Sequence, residues 1–151
     1  MVGRLPDIEI ENILHNNIVG RLGCTNGQSV YVVPMNYVYT GKYILAHSTE
    51  GKKITYMRAN PEVCFEVDEV DDIMNWRSVI LWGKFEEVED ELEKEHILEE
   101  LVQHMMKLKV SDASLMPHLS ENRVRPHQPG YIKVVVWRIA VNKKSGRFEK
   151  N

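Results

Sequence analysis

The clearest pattern along the chain is a two-residue alternation. Over residues 29–39, Tyr31, Val33, Met35, Tyr37 and Tyr39 alternate with Val30, Val32, Pro34, Asn36 and Val38, and this β-branched and aromatic run predicts a long strand. Pro34 has no amide hydrogen to give to a ladder, so a bulge or an unpaired edge is expected there. Residues 18–24 form a strand-like run before it, and Thr25-Asn26-Gly27 supplies the Asn-Gly pair that accepts positive φ in a tight hairpin. Further strands are expected over 42–47, after a turn at Thr40-Gly41, and over 63–68, 78–86 and 130–141. The acidic segment 69–77 reads as a loop.

Helical spacing takes over elsewhere. Ile8, Ile10, Ile13 and Leu14 behind Pro6-Asp7 predict a short opening helix. Residues 50–58 predict another, stopped before Asn60-Pro61 because a residue preceding proline is pushed out of the helical region. Val88, Leu92, Leu98, Leu101, Val102, Met105 and Met106 predict a helix over 87–108. The acids near its start, Glu86 to Glu95, meet the positive end of the helix dipole and lack the alternating ligands of a calcium loop, so they read as a solvated helix start. Residues 111–129, with three prolines, His118 and His127, read as an irregular surface connection. Six short strands in the order β-β-β-α-β-β-α-β predict an antiparallel sheet that curls into a barrel to hide its edges.

Composition narrows the classes. A chain of 151 residues, 43% hydrophobic and 27% charged, fits a single globular domain over 1–151. A net charge of -3 and the absence of a recognisable motif argue against a nucleic-acid partner. Residues 1–6 lack the apolar run of a signal peptide and no apolar stretch is long enough to span a bilayer, so a cytoplasmic protein without a membrane partner is expected. Cys24 and Cys64 read as reduced core thiols, and Lys143, Lys144, Arg147 and Lys150 as a solvated tail.

The motifs GxSxG, HExxH, GxxxxGK[ST] and GxGxxG are missing, which argues against the common hydrolase, zincin, P-loop and Rossmann chemistries. The histidines (His15, His47, His96, His104, His118, His127) are not read as same-face ligand pairs, and no metal site is expected. One segment stands out: His47-Ser48-Thr49-Glu50-Gly51-Lys52-Lys53, where a strand gives way to a helix. Free amide donors, two hydroxyls and two ammonium groups there would suit a phosphate. On the residues alone the plainer reading is favoured, with Ser48 or Thr49 capping the helix and the lysines solvated.

A family resemblance shifts that balance. Gly20-Arg21-Leu22-Gly23-Cys24, Tyr31-Val32-Val33-Pro34-Met35-Asn36-Tyr37, His47-Ser48 with Gly51-Lys52-Lys53, Asn60 through Asp68, and Trp76-Arg77-Ser78-Val79 with Gly83 occur in one order. Together they resemble the pyridoxamine 5'-phosphate oxidase-related flavin proteins, in particular the subgroup with the 5-nitroimidazole-resistance reductases. The resemblance is close over about residues 17–88 and looser over the last strand.

It implies an α+β fold, a six-stranded antiparallel split barrel that binds FMN at the interface of a homodimer. Carried over by position, His47 and Ser48 end the strand lining the flavin site, Lys52 and Lys53 hold the phosphate, and Met35, Asn36 and Tyr37 run along the isoalloxazine. Trp76, Arg77 and Ser78 match the segment that reaches the partner's flavin. No catalytic residue is singled out. For Trp76 a barrel cap is an equal reading, for Met35 and Tyr37 a core position, and for His47 a hydrogen-bonded structural role. Pyridoxamine phosphate oxidases carry Arg-Lys in place of Lys52-Lys53 and a basic substrate-binding pattern near the C-terminus, of which only Trp137-Arg138 is an echo. Vitamin B6 oxidation is therefore not expected, and the implied activity is flavin-mediated redox chemistry on a small organic molecule such as a nitroaromatic. The alternatives are a haem-binding or haem-degrading protein, with His127 as axial ligand, and a noncatalytic flavin-binding module.

Overall fold

The computed structural model describes residues 1–107 and 133–151. In chain order the elements are β1 (Val2–Arg4), α1 (Asp7–Asn16), β2 (Val19–Thr25), β3 (Val30–Asn36), β4 (Val38–Tyr39), β5 (Tyr43–Thr49), α2 (Lys52–Ala59), β6 (Glu62–Asp72), β7 (Asn75–Glu87), α3 (Glu91–Lys107) and β8 (Val134–Glu149). Every strand pairing is antiparallel. The spatial order is β3-β2-β6-β7-β8-β5-β4, with β1 lying against β8.

The two ends of that order, β3 and β4, are separated in the chain by Tyr37 alone. Among the described residues the sheet therefore curls until its edges meet at one residue, which is the split-barrel architecture the sequence implies, built with eight strands rather than six and left unclosed. The run predicted as one strand over 29–39 divides at Tyr37. Its first part pairs with β2, its second with β5, and the Tyr37 amide donates to the Ile18 carbonyl at 3.0 Å. Pro34 sits on an edge as expected, since among the described residues β3 has β2 as its only neighbour.

Two further expectations are corrected. The acidic segment 69–77 is no loop: β6 and β7 run on into a long hairpin turned at Ile73-Met74, where the Asp72 carboxylate accepts from the Met74 amide and the Asn75 side chain. Alternating acids on a half-exposed ribbon hide the strand period. The basic stretch is likewise no loose tail, because β8 continues to Glu149, paired with β7 and then also with β1, although Lys143, Arg147 and Lys150 are exposed as expected. Strand β1 is too short to show a period. The connection read over 111–129, the start of the predicted last strand, and the axial-ligand candidate His127 lie outside the described residues.

Two apolar layers flank β5 and β8. The barrel interior holds Leu22, Ile44, Phe65, Leu81 and Trp137, closed by Ile13 and Leu14 from α1 and by Ile54 and Met57 from α2. On the other face Val38, Leu45 and Val136 meet Ile97, Leu98 and Leu101 of α3. Leu92 and Met106, counted into the helical stripe, lie off this buried face. Asp90 caps α3 by accepting from the Glu93 amide at 3.0 Å, so part of the acidic run has a defined place. Among the described residues no helix is long and apolar enough to cross a membrane.

Candidate functional site

The junction between β5 and α2 carries the largest concentration of anion-binding features. Helix α2 starts behind Gly51, which gives no side-chain cap, and its first turn contains no acid but does contain Lys52 and Lys53. The amides opening the helix thus keep their donor capacity and the positive dipole end. The plainer reading of a Ser48 or Thr49 cap is set aside by this geometry. Glu50, just ahead of the helix, is engaged by a two-point Arg58 contact at 2.9 and 3.0 Å and by Lys133 at 3.7 Å. Arg58 holds the Glu50 carboxyl below its usual range, and its negative charge is compensated before it can repel a phosphate.

Lys52 leans toward the rim of β3. Lys52 Nζ lies 5.3 Å from the ring centre of Tyr31 on β3 and 5.8 Å from that of Tyr56 on α2. Lys53 is half-buried, and its charge acts on the Cys24 thiol, which faces Tyr31 across the β2–β3 ladder.

His47 and Ser48, adjacent in sequence, turn to opposite faces of β5. Ser48 faces the barrel interior, where the fully buried Trp137 donates its Nε1 hydrogen to Ser48 Oγ at 2.9 Å. An accepting hydroxyl still has its own proton to give. His47 shares the face of Leu45, toward α3, and is 9% exposed. Arg138, the other half of the Trp137-Arg138 echo, is tied to Glu86 at 2.8 Å and to Glu93, and stacks 4.7 Å from the Tyr43 ring.

Along β3, Met35 and Asn36 are half-buried at the barrel rim. The Tyr37 side chain is a core group: it is 1% exposed, donates its hydroxyl to the Leu14 carbonyl at 2.7 Å, and meets Phe65 edge to face. Burial pushes its phenol far above the usual range. The residue as a whole is buried where the two sheet edges meet, and its amide is already given to the Ile18 carbonyl.

Trp76, Arg77 and Ser78 lie elsewhere. Trp76 Nε1 donates to Glu149 at 3.1 Å, Arg77 clasps Glu69 at 2.9 Å, and Ser78 Oγ donates to Glu66 at 3.3 Å. A cavity of about 610 Å³ opens beside Trp76 and Arg77, walled by Pro6, Glu9 and Phe148. Ser48 pairs with Val135 and Trp76 with Glu149, at opposite ends of β8. At about 3.3 Å per residue this separates them by roughly 45 Å along the strand. One chain does not bring the two groups of candidate residues together.

The outward face of the sheet sets an apolar row beside a mixed one that holds Arg21 and Glu66. Val32, Gly23, Cys64 and Trp82 lie side by side across β3, β2, β6 and β7, with Pro34 and Ile80 in the next row. Val32 is 64% exposed and Trp82 39%. Cys64, expected in the core, is a half-buried member of this face, while Cys24 is buried as expected. Arg21 crosses the face to Asp68 at 2.9 Å and Glu66 at 3.5 Å. Burial and the Asp68 charge raise the Glu66 carboxyl above its usual range, with Arg21 and Ser78 acting against them.

Sequence reasoning missed Tyr31 and Tyr56 as neighbours of Lys52, and Trp137 as the partner of Ser48. The alternation that puts Tyr31 on the side of Met35 was visible, whereas a contact across 89 residues was not. One helical ligand pair had also been passed over: His96 and Glu100, 3.6 Å apart on the exposed side of α3. Among the described residues no cluster of three or more His, Cys, Asp or Glu side chains is arranged to hold a metal ion.

Comparison with known proteins places this geometry. A FAD-binding protein from Mesorhizobium loti is 32% identical, with a TM-score of 0.74 and 99% of each chain covered. A candidate 5-nitroimidazole antibiotic resistance protein from Bacteroides thetaiotaomicron (24% identical, TM-score 0.71, 98% of this chain and 87% of that one) shares the fold. So does the FAD binding protein from Mycobacterium smegmatis (24%, TM-score 0.64, 99% and 100%). An uncharacterized protein of Rhizobium meliloti (strain 1021) is 30% identical over 80 residues, 53% of either chain, so the match spans about half the length of that relative. The family model for pyridoxamine 5'-phosphate oxidase matches residues 6–148. The chain therefore belongs to the pyridoxamine 5'-phosphate oxidase family.

Proposed function

We infer that this protein is a homodimeric, cytoplasmic flavoprotein whose phosphate-binding site is the start of α2, and that it carries out redox chemistry on a small organic molecule. The observation that carries the reading is the uncapped, acid-free first turn of α2 with Lys52 and Lys53 in it and Glu50 neutralised beside it. These features fit the phosphate of FMN, or the same phosphate within FAD, the ligand of the Mesorhizobium loti relative. A lysine is a point charge rather than a two-pronged fork, which suits a phosphate approached from several sides.

A bound flavin supplies the electron and hydride transfer, and the protein contributes binding, orientation and exclusion of water. Ser48 keeps a hydroxyl proton to donate toward the phosphate while Trp137 fixes its oxygen. Met35 and Asn36 offer the rim of β3 to the ring system. Two chains are needed because the Trp76 group stands at the far end of β8, and the apolar face of Val32, Pro34, Ile80 and Trp82 gives a second copy a surface to cover. The engagement of Arg138 by Glu86 and Glu93 argues against a vitamin B6 phosphate as substrate, and nitroaromatics are one class to assay.

The test is a titration of flavin-stripped wild type and the Lys52→Ala, Lys53→Ala double variant with FMN and with riboflavin. Charge-assisted phosphate contacts of about 1.5–3 kcal/mol predict a loss of one to three powers of ten for FMN and a far smaller one for riboflavin. Equal FMN affinity in both proteins removes this segment from the cofactor site.

A further inference from the structure

We propose that the rim formed by Tyr31, Tyr56 and Lys52 is a binding site for a purine base, so that the flavin site extends to take the adenosine half of FAD. The inference rests on the flavin reading above and adds a second recognition element to it. Tyr31 and Tyr56 stand 6.1 Å apart at an interplanar angle of 70°, making a corner of two half-buried rings. Both pack against the barrel core on one side, which fixes them without requiring a ligand. Among the described residues neither phenol hydroxyl has a protein partner, so each has a hydrogen bond to offer.

The corner lies where a dinucleotide would need it. Met35, at the rim proposed for the ring system, and Tyr31 are on the same side of β3, roughly 13 Å apart at about 3.3 Å per residue. The uncapped start of α2, with Lys52 and Lys53, is beside the Tyr31 end. Isoalloxazine, phosphates and base would thus follow one another along a single edge strand. Lys52 rests its ammonium over both rings, an arrangement held by the attraction between a cation and a π face. A phosphate at the helix start draws that ammonium away from the rings and bares a face on which a base can stack. Flat aromatic faces hold nucleobases by stacking, and the phenol of the second ring can meet the base edge.

The experiment compares FAD and FMN affinities by titration calorimetry in flavin-stripped wild type, Tyr31→Ala, Tyr31→Phe and Tyr56→Phe. Wild type is expected to bind FAD about tenfold or more tightly than FMN. Tyr31→Ala should lose about tenfold in FAD affinity with less than a twofold change for FMN, and Tyr31→Phe, which keeps the ring, should stay close to wild type. Tyr56→Phe, which removes a hydroxyl alone, should weaken FAD by a smaller factor and leave FMN unchanged. An equal loss for both flavins in Tyr31→Ala would mean that the ring only positions Lys52, and it overturns the base site while leaving the flavin reading intact. A wild type that prefers FMN also overturns it. Failure of both flavins to bind wild type sinks both readings.

Discussion

Replacing Ser48 by alanine probes stability and binding at one atom. Trp137 is 0% exposed, and its Nε1 hydrogen goes to Ser48 Oγ at 2.9 Å. Ser48→Ala leaves that donor buried without a partner, which costs about 1–3 kcal/mol, more than the roughly 1 kcal/mol net worth of an ordinary hydrogen bond. Trp137→Phe removes the donor and leaves a void of roughly 40 Å³, for which about 24 cal/mol per Å³ gives about 1 kcal/mol beyond the lost transfer energy. In the double variant no donor is stranded. The combined loss should therefore fall short of the sum of the single losses by about 1–2 kcal/mol. Urea unfolding followed by circular dichroism at one fixed protein concentration measures all three variants. Strict additivity, or a Ser48→Ala variant as stable as wild type, would refute the reasoning. The same variant tests the site: Trp137→Phe should bind FMN nearly as well as wild type, because the Ser48 proton is still there to donate, whereas Ser48→Ala should not.

Other perturbations follow from named contacts. A Cβ on Gly83 would stand 2.2 Å from the Ala140 carbonyl oxygen, which is backbone and cannot swing aside. Gly83→Ala should cost about 3 kcal/mol, read as a lowered Tm, while Gly51→Ala, whose nearest neighbour is 4.0 Å away, should cost far less. Lys144 joins β8 to Glu11 of α1 and to the Tyr39 hydroxyl at 3.1 Å, and Lys144→Met should cost about 1 kcal/mol near neutral pH. Burial acts against both charges, but Lys144 and Tyr39 hold Glu11 below 4.5, and Glu11 and Tyr39 hold Lys144 above 10.5. The depressed carboxyl contributes above its unfolded pKa and loses that contribution as pH falls below 4.5; the raised ammonium contributes below its own and loses it as pH rises past 10.5. The wild type's advantage over Lys144→Met in denaturant midpoint should be flat between those limits and shrink outside them. Ile80→Glu with Trp82→Glu places charges on the apolar sheet face, and sedimentation equilibrium should show monomers that have lost flavin; a dimer of unchanged affinity would contradict the interface.

The fold was legible where one face of an element is buried and the other is wet. Strands β2 and β3, their Asn-Gly hairpin and helix α1 follow the periods read from the chain. Legibility failed where burial is two-sided or absent. The β6–β7 hairpin extends beyond the barrel as a ribbon rich in acids, and the far half of β8 alternates Lys143, Lys144 and Arg147 with small or aromatic groups. There the backbone ladder, not an apolar face, sustains the strand. At the candidate site the residue types around Lys52 and Lys53 were readable from the order of motifs. The side of β5 taken by His47, the commitment of Tyr37 to the core and the separation of Trp76 from Ser48 depend on contacts far apart in sequence, which no local period encodes.

Pro34 on the open edge of β3 has a further consequence, for solubility. The stretch from Val30 to Tyr39 is a β-prone segment without a charge, and Val30 and Val32 are 80% and 64% exposed. An uninterrupted edge of that composition is a template on which further chains add as strands and grow into fibrils. The missing amide hydrogen at Pro34 breaks the template in its middle. The ring that departs from the strand pattern is thus a gatekeeper, and a Pro34→Thr chain would be expected to precipitate, with thioflavin T fluorescence, at concentrations where wild type stays clear.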